Sequence, residues 1–507
     1  MNANKQNQVE QWDIFERSVK ASSLPENPFF DLDLTAHFTC DGETVQVSGF
    51  YDGDNRCLVR FMPHRTGTWH YVTESGTPAL DRVSGSFECV GPSRDNHGPV
   101  RAVGTHFEYA DGTPFFVLGT TAYTWTYQPD ELAMQSLDSF SRHGFNKIRM
   151  LFFPKQYGRP EDPFHINYSP DELPYEGEPG ALNLKRPNPA YYRLWERRLR
   201  QLMQRGIEAD VILFHVYDGG LWGIAEGLGP EEEMRFLHYI TARLAPFRNV
   251  WWSLANEYDL FGISIPFSDV HRYRKKEWNA LGQALAAADP YDHLRSVHNW
   301  TWGPIFPNTP WLTHVSYQHP NTYAKAIELR EEYKKPVIND EYQYEGNMPN
   351  DFGNCSGELE VKRHWMLTMA GAYGTHGEMY MWDDQREHIF WSTGGELQGD
   401  SPPRLAYLKE LMTGLPFQEL EVDDRLSDGV DFFTLRNGDD IFLSFFGPGY
   451  KDRPNFQLNH TAADDITYDL EIHDLWRCRR YGRERRKPGA VSIPMPDWAV
   501  VIGRRLQ

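Results

Sequence analysis

The sequence predicts an α/β protein in which a (β/α)8 (TIM) barrel is flanked by an N-terminal antiparallel β-sandwich and a C-terminal antiparallel β domain. Three observations lead to this prediction. Strand-like runs separated by turns fill about the first hundred residues, apolar strands then alternate with helical segments over about 300 residues, and the helical pattern stops near residue 404. Such alternation is typical of a barrel. A chain of 507 residues also has room for two smaller domains.

Residues 1–95 form the predicted β-sandwich. The run FDLDLTAHF alternates apolar residues with acidic residues or threonine, as a half-buried strand does. Four further strand-like runs are ETVQVSGFY, CLVRFMP, GTWHYVTE and GSFECV, and Asp-Gly, Gly-Asp and Gly-Thr pairs separate them. Short strands with turns at this spacing favour a small antiparallel sandwich. The stretch SRDNHGPV is the predicted linker to the next domain.

Residues 104–403 form the predicted barrel. VLG and NKIRMLF are its first two strands, and six more apolar strands follow, most of them after a helical segment: DVILFHV, NVWWSLANE, HLRSVHN, HVSYQH, PVINDE and EMYMW. The clearest helix begins at Asn188-Pro189, repeats apolar residues at helical spacing and ends at Gly206. No GxGxxG follows the first strand, which favours a barrel over a doubly wound sheet.

Residues 404–507 form the predicted C-terminal β domain. DFFTLRNGDDIFLSFFG is a hairpin pattern with Asn-Gly at its turn, and YDLEIHDLW and WAVVIGRRL predict further strands. The basic run RCRRYGRERRK, residues 477–487, is conspicuous in an acidic chain. We expect a solvated hairpin or an ion-paired patch there, with an anion site as the alternative.

Composition and charge restrict the class of function. Hydrophobic residues make up 40% of the chain and charged residues 24%, as in a globular protein rather than a disordered one. Asp and Glu outnumber Lys and Arg by 71 to 51, and the formal charge of −20 disfavours nucleic acid and membranes as partners. Aromatic residues reach 14%, and sugar-binding clefts are one common place for such an excess. A carbohydrate is therefore the partner that we expect.

The cysteines and the N-terminal segment predict a cytoplasmic protein. The five cysteines show no CxxC or metal-binding spacing, and we interpret them as free thiols in a reducing compartment. The first residues lack a basic segment followed by an apolar one, and no apolar run approaches the length of a membrane span. We expect no metal and no organic cofactor, and a substrate small enough to be imported. The sequence leaves homo-oligomer formation open.

The C-terminal ends of the strands carry the catalytic groups in a (β/α)8 barrel, and this rule selects the candidate residues. Two carboxylates stand out, Glu257 after strand 4 and Glu341 at the end of strand 7. We expect them to be the catalytic pair. The candidate substrate-binding residues at the strand ends are Arg149, His215, Asn256, His298, Tyr317, His319 and Trp382.

Two segments resemble those of a known group of enzymes. WSLANE is similar to the Asn-Glu signature of clan A retaining glycoside hydrolases, and PVINDEYQYEG resembles the nucleophile segment of the apiosidase-like barrels of that clan. The resemblance implies that Glu257 is the general acid/base and that Asn256 binds the sugar 2-hydroxyl. It also implies that Arg149 and Tyr317 contact the nucleophile and that Trp382 is a sugar platform.

The resemblance extends over most of the chain. RFMPHRTGTWHY is similar to part of the small β domain often found ahead of such barrels. Tyr342 stands where many apiosidase-like relatives have proline, so the sugar specificity of the family is not carried over.

The residue types also suit a retaining glycosidase on chemical grounds. Retention needs two carboxyl groups about 5–5.5 Å apart, one protonated to assist the leaving oxygen and one ionised to attack the anomeric carbon. A cation and a hydroxyl beside Glu341 would favour its ionised form, and aromatic residues around Glu257 would favour its protonated form. We therefore predict an exo-acting retaining O-glycoside hydrolase for short oligosaccharides, with Glu341 as the nucleophile.

The sequence leaves alternatives open for the activity, for the nucleophile, for two histidines and for one long segment. An endo-acting glycanase or a catalytically inert carbohydrate-binding barrel would share much of the pattern, although the presence of both glutamates disfavours the inert barrel. Glu345 is a rival nucleophile, although it lies four residues beyond Glu341. His215 and His319 are sugar ligands or structural histidines. The long segment 154–187 after strand 2 is a predicted lid, or it covers neighbouring helices or meets another subunit.

Overall fold

A parallel eight-stranded sheet, curved into a nearly closed barrel, forms the centre of the protein. The computed structural model describes residues 8–155, 170–217, 222–263, 273–349, 351–381, 389–424, 430–448, 456–458, 466–491 and 496–506. Barrel strands 1 to 8 are Gly119–Thr121, Lys147–Leu151, Glu208–Phe214, Val250–Ala255, Arg295–Ser296, Val315–Gln318, Val337–Glu341 and Tyr373–His376. Each pairs with its neighbours in chain order and strand 8 pairs with strand 1, whereas no described ladder joins strands 5 and 6. The predicted fold class is confirmed.

Helices surround the barrel. The longer ones are Asp130–Arg142, Pro189–Met203, Pro230–Leu244, Trp278–Ala288, Thr322–Tyr333, Gly357–Met369 and Ser401–Thr413. Two single turns, Ile224–Gly227 and Phe390–Thr393, and four 3-10 turns, Trp125–Tyr127, Tyr258–Leu260, Asp351–Gly353 and Phe417–Glu419, complete the described set. No described helix has the length and apolar character needed to cross a membrane.

The helix Pro189–Met203 shows why these segments form where the sequence predicts them. The Asn188 side chain accepts a hydrogen bond from Ala190 N at 3.1 Å, and Pro189 occupies the first helical position, where its missing N–H costs nothing. The apolar side chains at helical spacing are buried against the barrel.

Strands 1 and 8 differ from the sequence prediction. Strand 1 begins at Gly119, just after the predicted apolar run, and strand 8 is Tyr373–His376 rather than the later EMYMW. The preceding helix ends at Met369, where Gly371 takes a left-handed conformation (φ 67°), so the chain turns earlier than predicted. Glu378–Met379, within EMYMW, instead pairs with Glu345–Gly346 outside the barrel. Helical structure also continues beyond residue 404, to Thr413.

Two sheets form the predicted N-terminal sandwich. A five-stranded sheet has the order Gln8–Glu10, Ser84–Val90, Gly67–Glu74, Thr35–Cys40 and Glu43–Ser48, and a three-stranded sheet has the order Phe15–Lys20, Arg56–Phe61 and Phe50–Tyr51. Phenylalanine rings stack between them, with centroids 4.2 Å apart for Phe38 and Phe61. The next hairpin, Val100–Val103 with His106–Tyr109, places the buried Phe107 ring 5.1 Å from that of Trp251.

A buried ion network attaches this sandwich to the barrel helices. Arg60 of the sandwich and Arg243 of the helix Pro230–Leu244 both contact Glu196 at 2.8 and 2.7 Å. Arg243 also lies 2.8 Å from Asp52 of the sandwich. Because removing one partner would leave a buried charge uncompensated, this network holds the sandwich in one position on the barrel.

The C-terminal domain is a six-stranded antiparallel sheet. Its order is Glu421–Val422, Phe432–Asn437, Ile441–Phe446, Ala499–Arg505, Tyr468–Asp474 and Arg479–Arg486, and Phe456–Leu458 pairs separately with Gly489–Val491. The predicted Asn-Gly hairpin is present at Gly438 (φ 51°). The basic run forms the edge strand Arg479–Arg486, where Arg480 pairs with Glu471 at 3.3 Å, which agrees with the ion-paired interpretation.

Part of the long segment after strand 2 is a hairpin, Tyr175–Glu178 with Ala181–Pro187. It contacts the N-terminal sandwich, since Asn27 Nδ2 donates to Lys185 O at 2.8 Å and Arg186 lies over the Phe29 ring. These contacts match the alternative in which the segment covers neighbouring elements. Residues 156–169, which carry most of the side chains of the predicted lid, lie outside the described residues.

Candidate active site

Side chains from several strand ends meet at the C-terminal mouth of the barrel, and Glu341 is at their centre. The Tyr123 hydroxyl donates to Glu341 Oε1 at 2.5 Å, and Arg149 Nη1 donates to the same oxygen at 2.9 Å. Burial raises the pKa of Glu341, but the Arg149 charge and these hydrogen bonds outweigh burial and hold the pKa below its usual value. Glu341 is therefore ionised at neutral pH.

Glu257 is the second carboxylate of the site, and its surroundings act in the opposite direction. It accepts a hydrogen bond from the Tyr217 hydroxyl. Burial, followed by the charge of Glu341, raises the pKa of Glu257 to about 8, although Tyr217 and Lys155 oppose that rise. Its backbone takes a left-handed conformation (φ 48°), which costs about 1–2 kcal/mol for a residue with a Cβ. The Glu257 side chain therefore does not follow the direction that regular strand geometry would give it.

Asn256 connects the supports of the two carboxylates. Its Oδ1 accepts from Arg149 Nη2 at 2.6 Å, and its Nδ2 donates to the Tyr217 hydroxyl at 3.0 Å. A primary amide nitrogen carries two hydrogens, and among the described residues only one of them has an acceptor, so the other can serve a ligand. The chain of contacts from Glu341 through Arg149 and Asn256 to Tyr217 places both carboxylates on one rigid frame.

Buried polar and charged side chains beneath the mouth of the barrel support Arg149. Asp340 accepts from Lys147 Nζ at 2.8 Å, from Ser316 Oγ at 2.5 Å and from Thr375 Oγ1 at 2.6 Å. Burial raises the pKa of Asp340, but the Lys147 and Arg149 charges lower it by more, so the group stays ionised. Asp340 Oδ1 lies 3.8 Å from Arg149 Nε, so this carboxylate supports the guanidinium that contacts Glu341.

The three candidate histidines lie in different surroundings. His298 is fully buried with Nδ1 4.0 Å from Glu341 Oε1, and burial followed by the Arg149 charge lowers the pKa of His298 to about 4. His215 accepts from Tyr217 N at 3.1 Å and stacks on the Tyr217 ring, so it supports that residue. His319 accepts from Asn321 N at 3.0 Å and lies at the rim beside Trp302.

Tyr317 and Trp382 complete the predicted substrate-binding residues. Tyr317 is buried and makes no hydrogen bond to Glu341 among the described residues. It pairs with Asn339, two residues before Glu341, and the register shifts just after it. Tyr123 makes the contact that was expected of Tyr317. Trp382 lies outside the described residues.

Sequence reasoning did not assign roles to Tyr123, Tyr217, Lys155 or Trp391. All four lie in segments that follow barrel strands, where strand periodicity no longer predicts direction. Their position in the segments that follow strands 1, 2, 3 and 8 is the one signal in the sequence that could have identified them as candidate site residues. Two exposed indole side chains also follow strand 5, namely Trp300 at 40% and Trp302 at 72% exposure. Trp300 N donates to Asp259 at 2.8 Å, which fixes this loop beside Glu257.

Glu345, the rival nucleophile, has a different position. It is fully buried, and it accepts from Asp400 N at 2.7 Å, Ser401 N at 3.0 Å and Ser401 Oγ at 2.5 Å. These contacts satisfy the free N–H groups at the start of the helix Ser401–Thr413. The carboxylate therefore anchors that helix.

Glu345 also belongs to the one cluster with metal-ligand spacing in the described part of the chain. The possible ligand atoms of Glu345, His376 and Glu378 lie within 4.8 Å of one another. Glu378 accepts from Gln398 N and Gly399 N at 2.8 Å, and Glu345 accepts at both of its oxygens. Backbone and hydroxyl donors of residues 398–401 thus occupy these carboxylates, and we assign the cluster a structural role.

Comparisons with known proteins identify the family of the chain. Residues 102–419 match the family model described as the apiosidase-like catalytic domain, and residues 8–76 match a domain of unknown function, DUF5060. The crystal structure of a protein described as a glycoside hydrolase, from Bacteroides vulgatus, is 36% identical to the chain. The match has a TM-score of 0.87 and covers 99% of this chain and 100% of that one. No curated protein sequence matches the chain.

A more distant structure shares the fold. A family 5 glycoside hydrolase from Bacteroides vulgatus is 17% identical with a TM-score of 0.58, over 80% of this chain and 94% of that chain. The eight-stranded barrel and the relatives together define a glycoside hydrolase, so the protein is a glycosidase. The chain belongs to the apiosidase-like family, whose catalytic-domain model spans more than half of it.

Proposed function

We propose that this glycosidase acts with retention of configuration, with Glu341 as the nucleophile and Glu257 as the general acid/base. The observation that carries the proposal is the contrast between the two carboxyl groups. Arg149 and Tyr123 favour ionised Glu341, whereas burial next to that anion raises the pKa of Glu257 to about 8. A retaining glycosidase needs this division between an ionised and a protonated carboxyl group at neutral pH.

In the first step Glu341 attacks the anomeric carbon. Both hydrogen bonds from Tyr123 and Arg149 go to Oε1, so we assign the attack to Oε2. The bond from the anomeric carbon to the leaving oxygen breaks as Glu257 transfers its proton to that oxygen. The products of this step are the free alcohol and a glycosyl ester of Glu341, with Glu257 left as a carboxylate.

In the second step Glu257 acts as a base. Esterification removes the negative charge of Glu341, which is one of the two main causes of the raised pKa of Glu257. The pKa of Glu257 therefore falls, and the carboxylate accepts a proton from a water molecule that attacks the anomeric carbon. The C–O bond to Glu341 breaks, and both glutamates return to their starting states.

Asn256 supports the same chemistry from the sugar side. One of its two amide hydrogens goes to Tyr217, and the other is available for the sugar 2-hydroxyl. Hydrogen bonds to that hydroxyl strengthen as the oxocarbenium-like transition state forms. Exo action on short oligosaccharides or glycosides is the part of the proposal that rests on the two β domains that flank the barrel, since the hairpin Tyr175–Glu178 with Ala181–Pro187 packs on the N-terminal sandwich.

Covalent trapping tests the proposal. A 2-deoxy-2-fluoro glycoside with an activated leaving group should accumulate as a glycosyl ester, and peptide mass mapping should place it on Glu341. Labelling of Glu345 or Asp340 instead would overturn the assignment. Product analysis on a longer oligosaccharide checks the mode of action, because an exo enzyme releases single sugars or a disaccharide from the start, whereas early mid-length fragments would contradict exo action.

A further inference from the structure

Lys155 is a buried lysine at the active site for which the proposed mechanism has no role. It follows barrel strand 2 and is only 4% exposed. Among the described residues, three aromatic rings lie around its ammonium group, with centroids 4.8, 4.5 and 4.4 Å from Nζ for Tyr123, Tyr217 and Trp391. Rings at such distances attract a cation through their electron-rich faces and confine it to one position.

The cage that holds Lys155 is built from the supports of the catalytic pair. The Tyr123 hydroxyl hydrogen-bonds Glu341, and the Tyr217 hydroxyl hydrogen-bonds Glu257. Both glutamates also interact with Lys155 through space and favour its charged form. Nζ therefore lies beside the point where the reacting sugar ring has to sit between the two carboxyl groups.

A cation at this point has a chemical consequence for the substrate. The transition state of glycoside hydrolysis develops positive charge at the anomeric carbon and the ring oxygen. The positive charge of the Lys155 ammonium group opposes the development of this charge on the sugar, because electrostatic interactions are weakly screened in a buried site. An anionic substituent on the sugar, bound against the lysine, removes this opposition and provides a charge-assisted hydrogen bond.

We propose, building on the glycosidase mechanism above, that the sugar bound between Glu341 and Glu257 carries a carboxylate, as a uronic acid does, and that Lys155 binds this carboxylate. The aromatic cage then serves to hold the ammonium group in place before the substrate arrives. Burial outweighs the charges of both glutamates and lowers the pKa of Lys155 well below its usual value. A bound sugar carboxylate adds a negative charge beside Nζ and so favours the charged form of Lys155.

Matched substrate pairs test this inference. The substrates are the nitrophenyl glucuronide and glucoside, and the galacturonide and galactoside, in both anomeric forms. Within each pair the two substrates differ only in C6, which is a carboxylate carbon in one and a hydroxymethyl carbon in the other. We expect kcat/KM of the wild-type protein to be at least about 10-fold higher on the acidic member of the accepted pair, as a charge-assisted hydrogen bond implies. Lys155→Met should remove this preference, because it should lower kcat/KM on the acidic member far more than on the neutral member. Lys155→Arg, which keeps the charge, should retain part of it.

Lys409→Met is the matched control. Lys409 is also a shielded lysine, but it donates to Gly144 O at 2.7 Å, at the end of the barrel opposite to the mouth. Its replacement should leave the ratio within each substrate pair unchanged. The ratio of kcat/KM between the acidic and the neutral substrate is measured on the wild-type protein, so this part of the test holds even if Lys155→Met fails to fold. Thermal unfolding of the variant would reveal such a failure.

The outcomes separate this inference from the proposed function. Equal or better turnover of the neutral members would overturn the carboxylate proposal and leave the glycosidase mechanism intact. Equal losses on both members in Lys155→Met would show that the lysine only supports the glutamates, and would overturn it too. If no member is turned over and no fluoro glycoside labels Glu341, then the proposed function itself fails.

Discussion

The Tyr123 hydroxyl lies 2.5 Å from Glu341 Oε1, although the two residues are 218 positions apart in the chain. Strands 1 and 7 are not neighbours, because strand 8 lies between them, and it ends at His376, before the mouth. Tyr123 reaches over strand 8, and its backbone is held by Leu151 N and by Trp391 O at 2.9 and 3.0 Å. The short strand 8 thus gives Glu341 a hydroxyl partner that strand pairing alone would not supply.

Replacing this partner should slow catalysis without disturbing the fold. A hydrogen bond to a charged group contributes about 1.5–3 kcal/mol, so Tyr123→Phe should lower kcat/KM by about 10- to 100-fold. Tyr317→Phe is the matched control, because Tyr317 is equally buried and makes no hydrogen bond to Glu341 among the described residues. Steady-state kinetics on one activated glycoside compare the two. Equal losses in both variants would contradict the role assigned to Tyr123.

Replacement of Glu341 and replacement of Glu257 should reduce the activity in different ways. Glu341→Ala cannot form the glycosyl ester and should lose turnover on every substrate. Glu257→Ala loses proton transfer, which matters less for a leaving group that is stable as an anion, so it should keep more activity on dinitrophenyl glycosides. Azide should partly restore its rate and yield a glycosyl azide. Identical losses on activated and unactivated substrates would remove Glu257 from the acid/base role.

The pH profile should follow the opposite pKa shifts of the pair. Glu257 must be protonated, and its pKa is raised to about 8, so kcat/KM should fall as the pH rises through about 8. Glu341 must be ionised and its pKa is lowered, so the acidic limb should lie below the usual range of a glutamate. Glu257→Gln should abolish the basic limb on an activated substrate. A basic limb that persists in this variant would belong to another group.

The sequence selected the two glutamates that the structure brings to one site, but it assigned no role to Tyr123, Tyr217 or Lys155 beside them, for a physical reason. Glu341 and Arg149 lie on strands, where alternation and parallel pairing decide which way a side chain points. Tyr217 and Lys155 lie beyond strand ends, and contacts with distant segments decide their direction. Strand 8 was misplaced because its residues, YGTH, are largely polar, whereas the search for strands relied on apolar runs.

Glu345 should prove to be a structural residue. It accepts hydrogen bonds from the first N–H groups around the helix Ser401–Thr413, and Glu345→Ala would leave several buried donors without partners. Each such donor costs about 1–3 kcal/mol, so the free energy of unfolding should fall by at least about 2 kcal/mol, while kcat of the folded protein changes little. Denaturant unfolding measures the loss. Glu396→Ala, which removes an exposed ion-pair partner of Arg142, should cost less than about 1 kcal/mol and is the control.

The stereochemistry of the first product tests the separation of the Glu257 and Glu341 carboxyl groups. Asn256 ties Arg149, the partner of Glu341, to Tyr217, the partner of Glu257, through contacts of 2.6 and 3.0 Å. The proposed retaining mechanism needs carboxyl groups about 5–5.5 Å apart, which leaves no room for a water molecule between Glu341 and the sugar and requires direct attack by the carboxylate. Proton NMR of a reaction in progress should show that the first sugar released has the anomeric configuration of the substrate, before mutarotation. The opposite anomer would indicate an inverting enzyme with carboxyl groups about 6.5–9.5 Å apart, in which Glu341 activates water instead of forming an ester.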